Sequence, residues 1–184
     1  EKPPERRVEE RPPPPEEPAR EKQVRAPAPI AALPEPVATV AIDRLPARLR
    51  PLVEQLADRD PVRQIAAAFK LRDLGREATP AAPYLIRRLR STDEVRRSRG
   101  ENKGEAISPA RAAARALVAI GEPSVGGLVR ALRQGHPDVR AEAAWALGEL
   151  KNAATVDPLV EVLKHEEDKV RAAAAEALGK IRDP

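Results

Sequence analysis

The chain has 184 residues, a net charge of +4, no cysteine and only three aromatic residues, Phe69, Tyr84 and Trp145. Without cysteine there are no disulfides and no thiolate metal sites, and no apolar run reaches the roughly 18 residues a membrane span needs. The length suits one domain plus a tail, and an apolar fraction carried mainly by Ala suits thin layers between stacked helices.

Residues 1–36 hold 11 of the 21 prolines, including Pro12 to Pro15, with 7 Lys/Arg and 8 Asp/Glu among them. So little apolar surface cannot offset the entropy of ordering, and the segment is predicted to be a disordered spacer with polyproline-II bias. Proline-recognising domains bind such stretches, so Arg11 to Pro15 is an alternative ligand, although composition favours the spacer. The first residue is Glu rather than Met. We therefore expect a removed targeting signal, an upstream membrane anchor or an excised fragment.

Residues 37–59 read as an apolar arm (Val37, Val40, Ile42, Leu45) followed by a capping helix containing Pro51 to Leu56. Asp60-Pro61 then opens a helix, because Asp accepts from first-turn amides and Pro fits a position that needs no donor. Val62, Ile65, Ala66, Phe69 and Leu74 recur at the spacing of a buried helix face, and Gly75 stops the helix. A second helix with Pro83 to Leu89 completes one helix–turn–helix unit. Leu71 and its equivalent Leu117 are 46 residues apart where neighbouring units are 30 or 31 apart. Residues 91–107 are therefore an inserted loop, carrying Arg96, Arg97, Arg99 and Lys103. In repeat arrays such insertions lie on one face, often the binding face.

Ser108-Pro109 restarts the helical pattern, and a partner helix runs from about Ser124 to Arg133. The next two units carry the same pattern, Asp138-Val139-Arg140 through Leu147-Gly148 and Lys169-Val170-Arg171 through Leu178-Gly179. Arg140 and Arg171, Leu147 and Leu178, and Gly148 and Gly179 are each 31 residues apart. A fixed period in this range means an array in which each unit buries its apolar face against its neighbours. The predicted fold is all-α: a right-handed α-solenoid of stacked antiparallel helix pairs over 60–184, with the last repeat incomplete. Leu178 and Ile181 of the last helix are expected to expose one face, and close helix approach is expected at both Gly148 and Gly179.

The pattern Asp-x-Val-Arg-x-x-Ala-Ala-x-Ala-Leu-Gly-x-Leu/Ile, followed by Pro-Leu-Val-x-x-Leu, resembles the HEAT-like repeats of phycobilin lyase subunits. The resemblance covers residues 47–184 and is strongest at 136–181. It implies a scaffold or adaptor from a bacterial or archaeal source, in the cytoplasm or cell envelope. It implies no catalytic residue. HEAT-repeat deoxyhypusine hydroxylases bind iron through His-Glu pairs in this motif, but the matching positions here are Ala141-Glu142 and Ala172-Ala173. HEAT-like DNA glycosylases use a Trp with a carboxylate, whereas Trp145 is a lone aromatic and reads as interhelical packing.

Other candidate sites also have structural readings. Arg63, Arg140 and Arg171 recur at helix starts and are expected to pair with carboxylates of adjacent repeats rather than to form an anion ladder. His136 and His165 lack a second ligand cluster and read as capping or exposed side chains, not metal ligands. No phosphate-binding loop or nucleophile elbow occurs, so no enzyme activity, cofactor or metal is expected.

The charge distribution gives the functional lead. Residues 60–135 carry 15 Lys/Arg against 8 Asp/Glu, and residues 136–184 carry 7 against 10. Aligning the second helices puts Arg87, Arg130 and Glu161 in one row and Arg90, Arg133 and Lys164 in another. A partner surface made of Arg87, Arg88, Arg90, Arg130 and Arg133, with Arg96, Arg97, Arg99 and Lys103 of the insert, would suit an acidic protein segment. The expected function is a protein-interaction scaffold tethered by the Pro-rich tail. The alternatives are a nucleic-acid binder using the basic 87–133 region, which requires steep salt dependence, and an accessory subunit of a lyase-type enzyme.

Overall fold

The computed structural model describes residues 41–90, 107–164 and 167–182. The predicted disordered tail and nearly all of the predicted insert, including Arg96, Arg97, Arg99 and Lys103, lie outside the described residues, as does His165. The described part is all-helical. Its α-helices are α1 (Arg50–Leu56), α2 (Pro61–Leu74), α3 (Ala82–Arg88), α4 (Pro109–Ile120), α5 (Val125–Gln134), α6 (Pro137–Leu150), α7 (Val156–Val162) and α8 (Asp168–Arg182). Helices α2, α4, α6 and α8 stack as one layer, and α1, α3, α5 and α7 stack as the other. This is the layered solenoid the period predicts. Among the described residues no helix is long and apolar enough to cross a membrane.

Local chemistry sets the helix ends. Asp60 accepts from Val62 N–H at 2.9 Å and Ser108 accepts from Arg111 N–H at 3.1 Å, both as predicted N-caps. Helices α2, α4 and α6 each end on a residue with positive φ: Gly75 (54°), Gly121 (85°) and the non-glycine Lys151 (50°). The chain then makes a 3-10 turn before the second helix. A hydroxyl near the end of each turn donates three residues back: Thr79 to the Arg76 carbonyl, Ser124 to that of Gly121, and Thr155 to that of Asn152. Ser124 also reaches the Leu117 carbonyl at 2.9 Å, which explains how it is fully buried at no hydrogen-bond deficit.

Of the expected arm, Val37 and Val40 lie outside the described residues. Ile42–Arg44 is a 3-10 turn, and Leu45 and Leu49 are fully buried beneath α1. The core continues as one leucine layer per repeat: Leu71 and Leu85, Leu117 and Leu128, Leu147 and Leu159. Between these layers lie buried alanines such as Ala67, Ala113, Ala144 and Ala174, small enough for the first helices to approach closely.

Two sequence expectations need correcting. The buried face of α2 is Gln64, Ala67, Ala68 and Leu71; Val62 and Ala66 are exposed, and Ile65, Phe69 and Leu74 are half-buried. Matching the N-caps Asp60 and His136, as the leucine spacing also requires, makes Gln64 the equivalent of Arg140 and leaves Arg63 one residue out of register. The helix-start residues have local partners among the described residues. Gln64 Nε2 donates to the Asp58 carbonyl at 2.5 Å, Arg140 Nε to that of Gly135 at 2.7 Å, and Arg50 Nε to that of Leu45 at 2.8 Å. Arg63 instead pairs with Asp58 and Asp60, and Arg171 with Asp168 of its own helix. These side chains tie the connecting loops to the helices that follow them.

The glycines at period 31 part company. A Cβ on Gly148 would lie 2.6 Å from Ala177 Cα and 2.8 Å from Ala177 Cβ, so α6 and α8 touch through this missing side chain. A Cβ on Gly179 would meet nothing within 4 Å. On α8 Ala172, Ala175 and Gly179 are exposed along with the charged Asp168, Lys169, Glu176 and Arg182, and Leu178 and Ile181 are half-buried against the core. Gly148→Ala is therefore expected to destabilise the fold by about 1–3 kcal/mol through forced helix separation. Gly179→Ala is expected to stabilise it by up to about 1 kcal/mol through helix propensity. Urea unfolding of the two variants beside the parent chain reads the opposite signs.

Candidate functional site

The arginines of the second-helix layer divide into three groups. Arg88 Nη1 donates to the Leu56 carbonyl at 3.1 Å. That carbonyl ends α1, where a cation is favoured by the helix dipole and satisfies an orphan acceptor. Arg133 reaches across to α7, with Nε and Nη2 at 3.2 and 3.1 Å from Glu161 Oε2. Arg88 is thus a capping residue and Arg133 an inter-repeat pair, not free members of a basic stripe. The remaining three, Arg87, Arg90 and Arg130, are exposed and form no ion pair among the described residues.

These three converge on one groove of about 400 Å³ between the α3 and α5 segments. Its floor is apolar: Pro83 and Ile86 on one side, Gly127, Ala131 and Val139 on the other. Its rim is Arg87, Arg90, Arg130, Gln134 and His136, with the Gly135 backbone between the last two. Among the described residues no acidic side chain lines it. The groove owes its shape to Gly127, where a Cβ would sit 2.2 Å from Ile86 Cδ1; the Ile86 tip fills the space the glycine leaves. His136 holds the N-cap position of α6 without a capping side-chain bond, and its Nδ1 lies 3.3 Å from Asp138 Oδ2.

A second polar cluster lies on the first-helix layer, and residue spacing alone did not reveal its pairings. Three ion pairs link residues one period apart: Arg111 with Glu142, Asp138 with Lys169, and Glu149 with Lys180. The Arg111 guanidinium lies over the Trp145 ring, 4.3 Å from its centroid, and Lys180 Nζ is 5.9 Å from the same centroid. Trp145 is therefore held between cations of the preceding and following repeats, as interhelical packing. Among the described residues no group of three or more His, Asp or Glu side chains is placed to hold a metal.

Comparison with known proteins gives the following. Residues 125–184 match the family HEAT repeats, as the residue pattern implies. Comparison with curated proteins gives no match. Among solved structures, an engineered protein aligns at 25% identity and a TM-score of 0.42, over 74% of this chain and 63% of that one. The complex of CpcE and CpcF of phycocyanin lyase from Nostoc sp. PCC7120 aligns at 25% identity and a TM-score of 0.47, over 80% of this chain and 55% of that one. The chain spans less than two thirds of the length of either.

Two carboxylates of the first-helix cluster respond to the fold in opposite ways. Burial pushes the Glu142 carboxyl up, only partly offset by Arg111, with Asp138 adding to the rise. The Arg111 contact is 3.2 Å long but misaligned, leaving the buried Glu142 Oε2 without a hydrogen bond. The Lys169 hydrogen bond holds Asp138 below the usual carboxylate range, against some desolvation. For Glu142 the folded state keeps its proton longer than the unfolded chain, so stability falls as pH rises from the ordinary glutamate range through its raised value. For Asp138 stability is present above the ordinary aspartate range and is lost as pH falls through its lowered value. Glu142→Gln is therefore expected to raise the urea midpoint at neutral pH, with the gain shrinking toward about pH 4. Asp138→Asn is expected to lower it at neutral pH, with the deficit disappearing only in stronger acid. Urea midpoints measured across the acid range check both signs.

Proposed function

We propose that this chain is a non-catalytic protein-interaction scaffold that receives an acidic segment of a partner protein on its second-helix face. HEAT repeats generally mediate protein–protein interaction, and residues 125–184 match them. The observation that carries the proposal is the unequal use of charge. The inter-repeat pairs on the first-helix layer engage Arg111, Lys169 and Lys180, while Arg87, Arg90 and Arg130, around one groove, have no ion-pair partner among the described residues. Three cations held together without a counter-charge repel one another, and an anionic partner relieves that repulsion. Guanidinium groups suit carboxylates especially, because their planar fork donates in pairs. Residues 1–36, by composition, serve as the tether.

Charge complementarity of this kind acts on association rate and register, and weakens with salt. Affinity purification with the full chain tests the reading. The triple variant Arg87→Glu, Arg90→Glu, Arg130→Glu is expected to lose its co-purifying protein. A charge-matched control, Arg44→Glu, Lys70→Glu, Arg76→Glu, reverses exposed cations outside the groove and is expected to keep it. An unchanged set of partners in the first variant would sink the proposal. Recovery of nucleic acid with a steep salt dependence would favour a different class of partner.

A further inference from the structure

We infer that the α3–α5 groove is a two-part anchor site, seating one bulky apolar side chain of the partner on its floor while flanking carboxylates engage the arginine rim. The inference rests on the scaffold reading and adds what the partner segment must contain. An all-acidic segment would use only the rim. Yet the groove is not a flat basic patch: its volume is about 400 Å³, and beneath the arginines lie Ile86, Ala131 and Val139. Val139 and Ala131 are buried parts of the repeat core that the groove reaches from outside. A charged group pushed to that depth would lose hydration against an apolar wall, whereas an apolar side chain gains by leaving water.

The floor is also adaptable. The space left by Gly127 is filled by the far end of the Ile86 side chain, not by backbone. A rotation at Ile86 changes the depth of the groove without moving α3 or α5. Charge complementarity argues for the flanks: arginines stand on both walls, Arg87 and Arg90 on the α3 side and Arg130 on the α5 side, and among the described residues no acid lines the groove. The partner element is thus an apolar residue with acidic residues before and after it.

Synthetic peptides test this on the intact 184-residue chain. One labelled peptide has a central leucine flanked on each side by two glutamates; a second has alanine at the centre. The leucine peptide is expected to bind about tenfold more tightly, the effect of burying the larger side chain. It is also expected to shift the methyl resonances of Ile86 and Val139, while the alanine peptide leaves them unmoved. The triple arginine reversal is expected to abolish binding of both. Equal affinities for the two peptides, with loss on reversal, would overturn the anchor while leaving the basic scaffold face intact. Binding that survives the reversal would overturn the anchor by locating the peptides elsewhere. If neither peptide binds but protein partners still co-purify in an arginine-dependent way, the anchor is again overturned and the scaffold reading stands.

Discussion

The contact between Gly148 and Ala177 sets the geometry on which the repeats depend. With no Cβ on Gly148, α8 comes against the α6 backbone itself, at a separation a side chain would prohibit. Helices that close need small neighbours, and Ala143, Ala144 and Ala146 of α6 and Ala174 and Ala177 of α8 are all buried. The leucines then fall between the two helix layers, one set per repeat. The low aromatic content follows from the same spacing: between first helices this close there is no room for large rings, and Trp145 lies at the edge of the seam.

Fixed stacking also decides which charges meet. When one helix lies on the next in constant register, each residue faces the residue one period later. Arg111 meets Glu142, Asp138 meets Lys169 and Glu149 meets Lys180 for this reason. The second-helix layer runs about one helical turn out of that register, so its partners stand 28 rather than 31 residues apart. Arg133 of α5 finds Glu161 on α7. Between α3 and α5 the facing residues are Arg87, Arg90 and Arg130, so no cross-repeat pair forms there among the described residues. The groove is the place where the repeat's own pairing scheme fails.

Much of this was legible before the structure. Repeat period, N-caps at Asp60 and Ser108, the stop at Gly75 and the close approach at Gly148 all follow from residue type and spacing. The phase of α2 did not follow, because its Val, Ile and Ala residues surround too much of the helix to single out one face. Register comes instead from the caps and from Gln64, a polar residue whose buried partner is a backbone carbonyl. Backbone acceptors leave no mark in a side-chain pattern, which also hid the roles of Arg50, Arg88 and Arg140. Arg87 and Arg88 are adjacent in sequence but point roughly 100° apart around a helix, so one lines the groove while the other caps α1. A basic row read from alignment cannot separate them.

Stability and recognition thus draw on the same device in different layers. Exposed ion pairs contribute from nothing to about 1 kcal/mol each, so Asp138–Lys169 and Glu149–Lys180 only tune a stack whose stability comes from buried Leu and Ala. In that layer the volume left by a glycine is taken by Ala177 backbone and Cβ, which cannot yield without separating two helices. In the second-helix layer the volume left by Gly127 is taken by the Ile86 tip, which yields by a side-chain rotation. The first arrangement fixes the spacing of α6 and α8. The second leaves a floor that a side-chain rotation can reshape beneath three arginines without an ion pair among the described residues, which is the combination the proposed partner-binding surface requires.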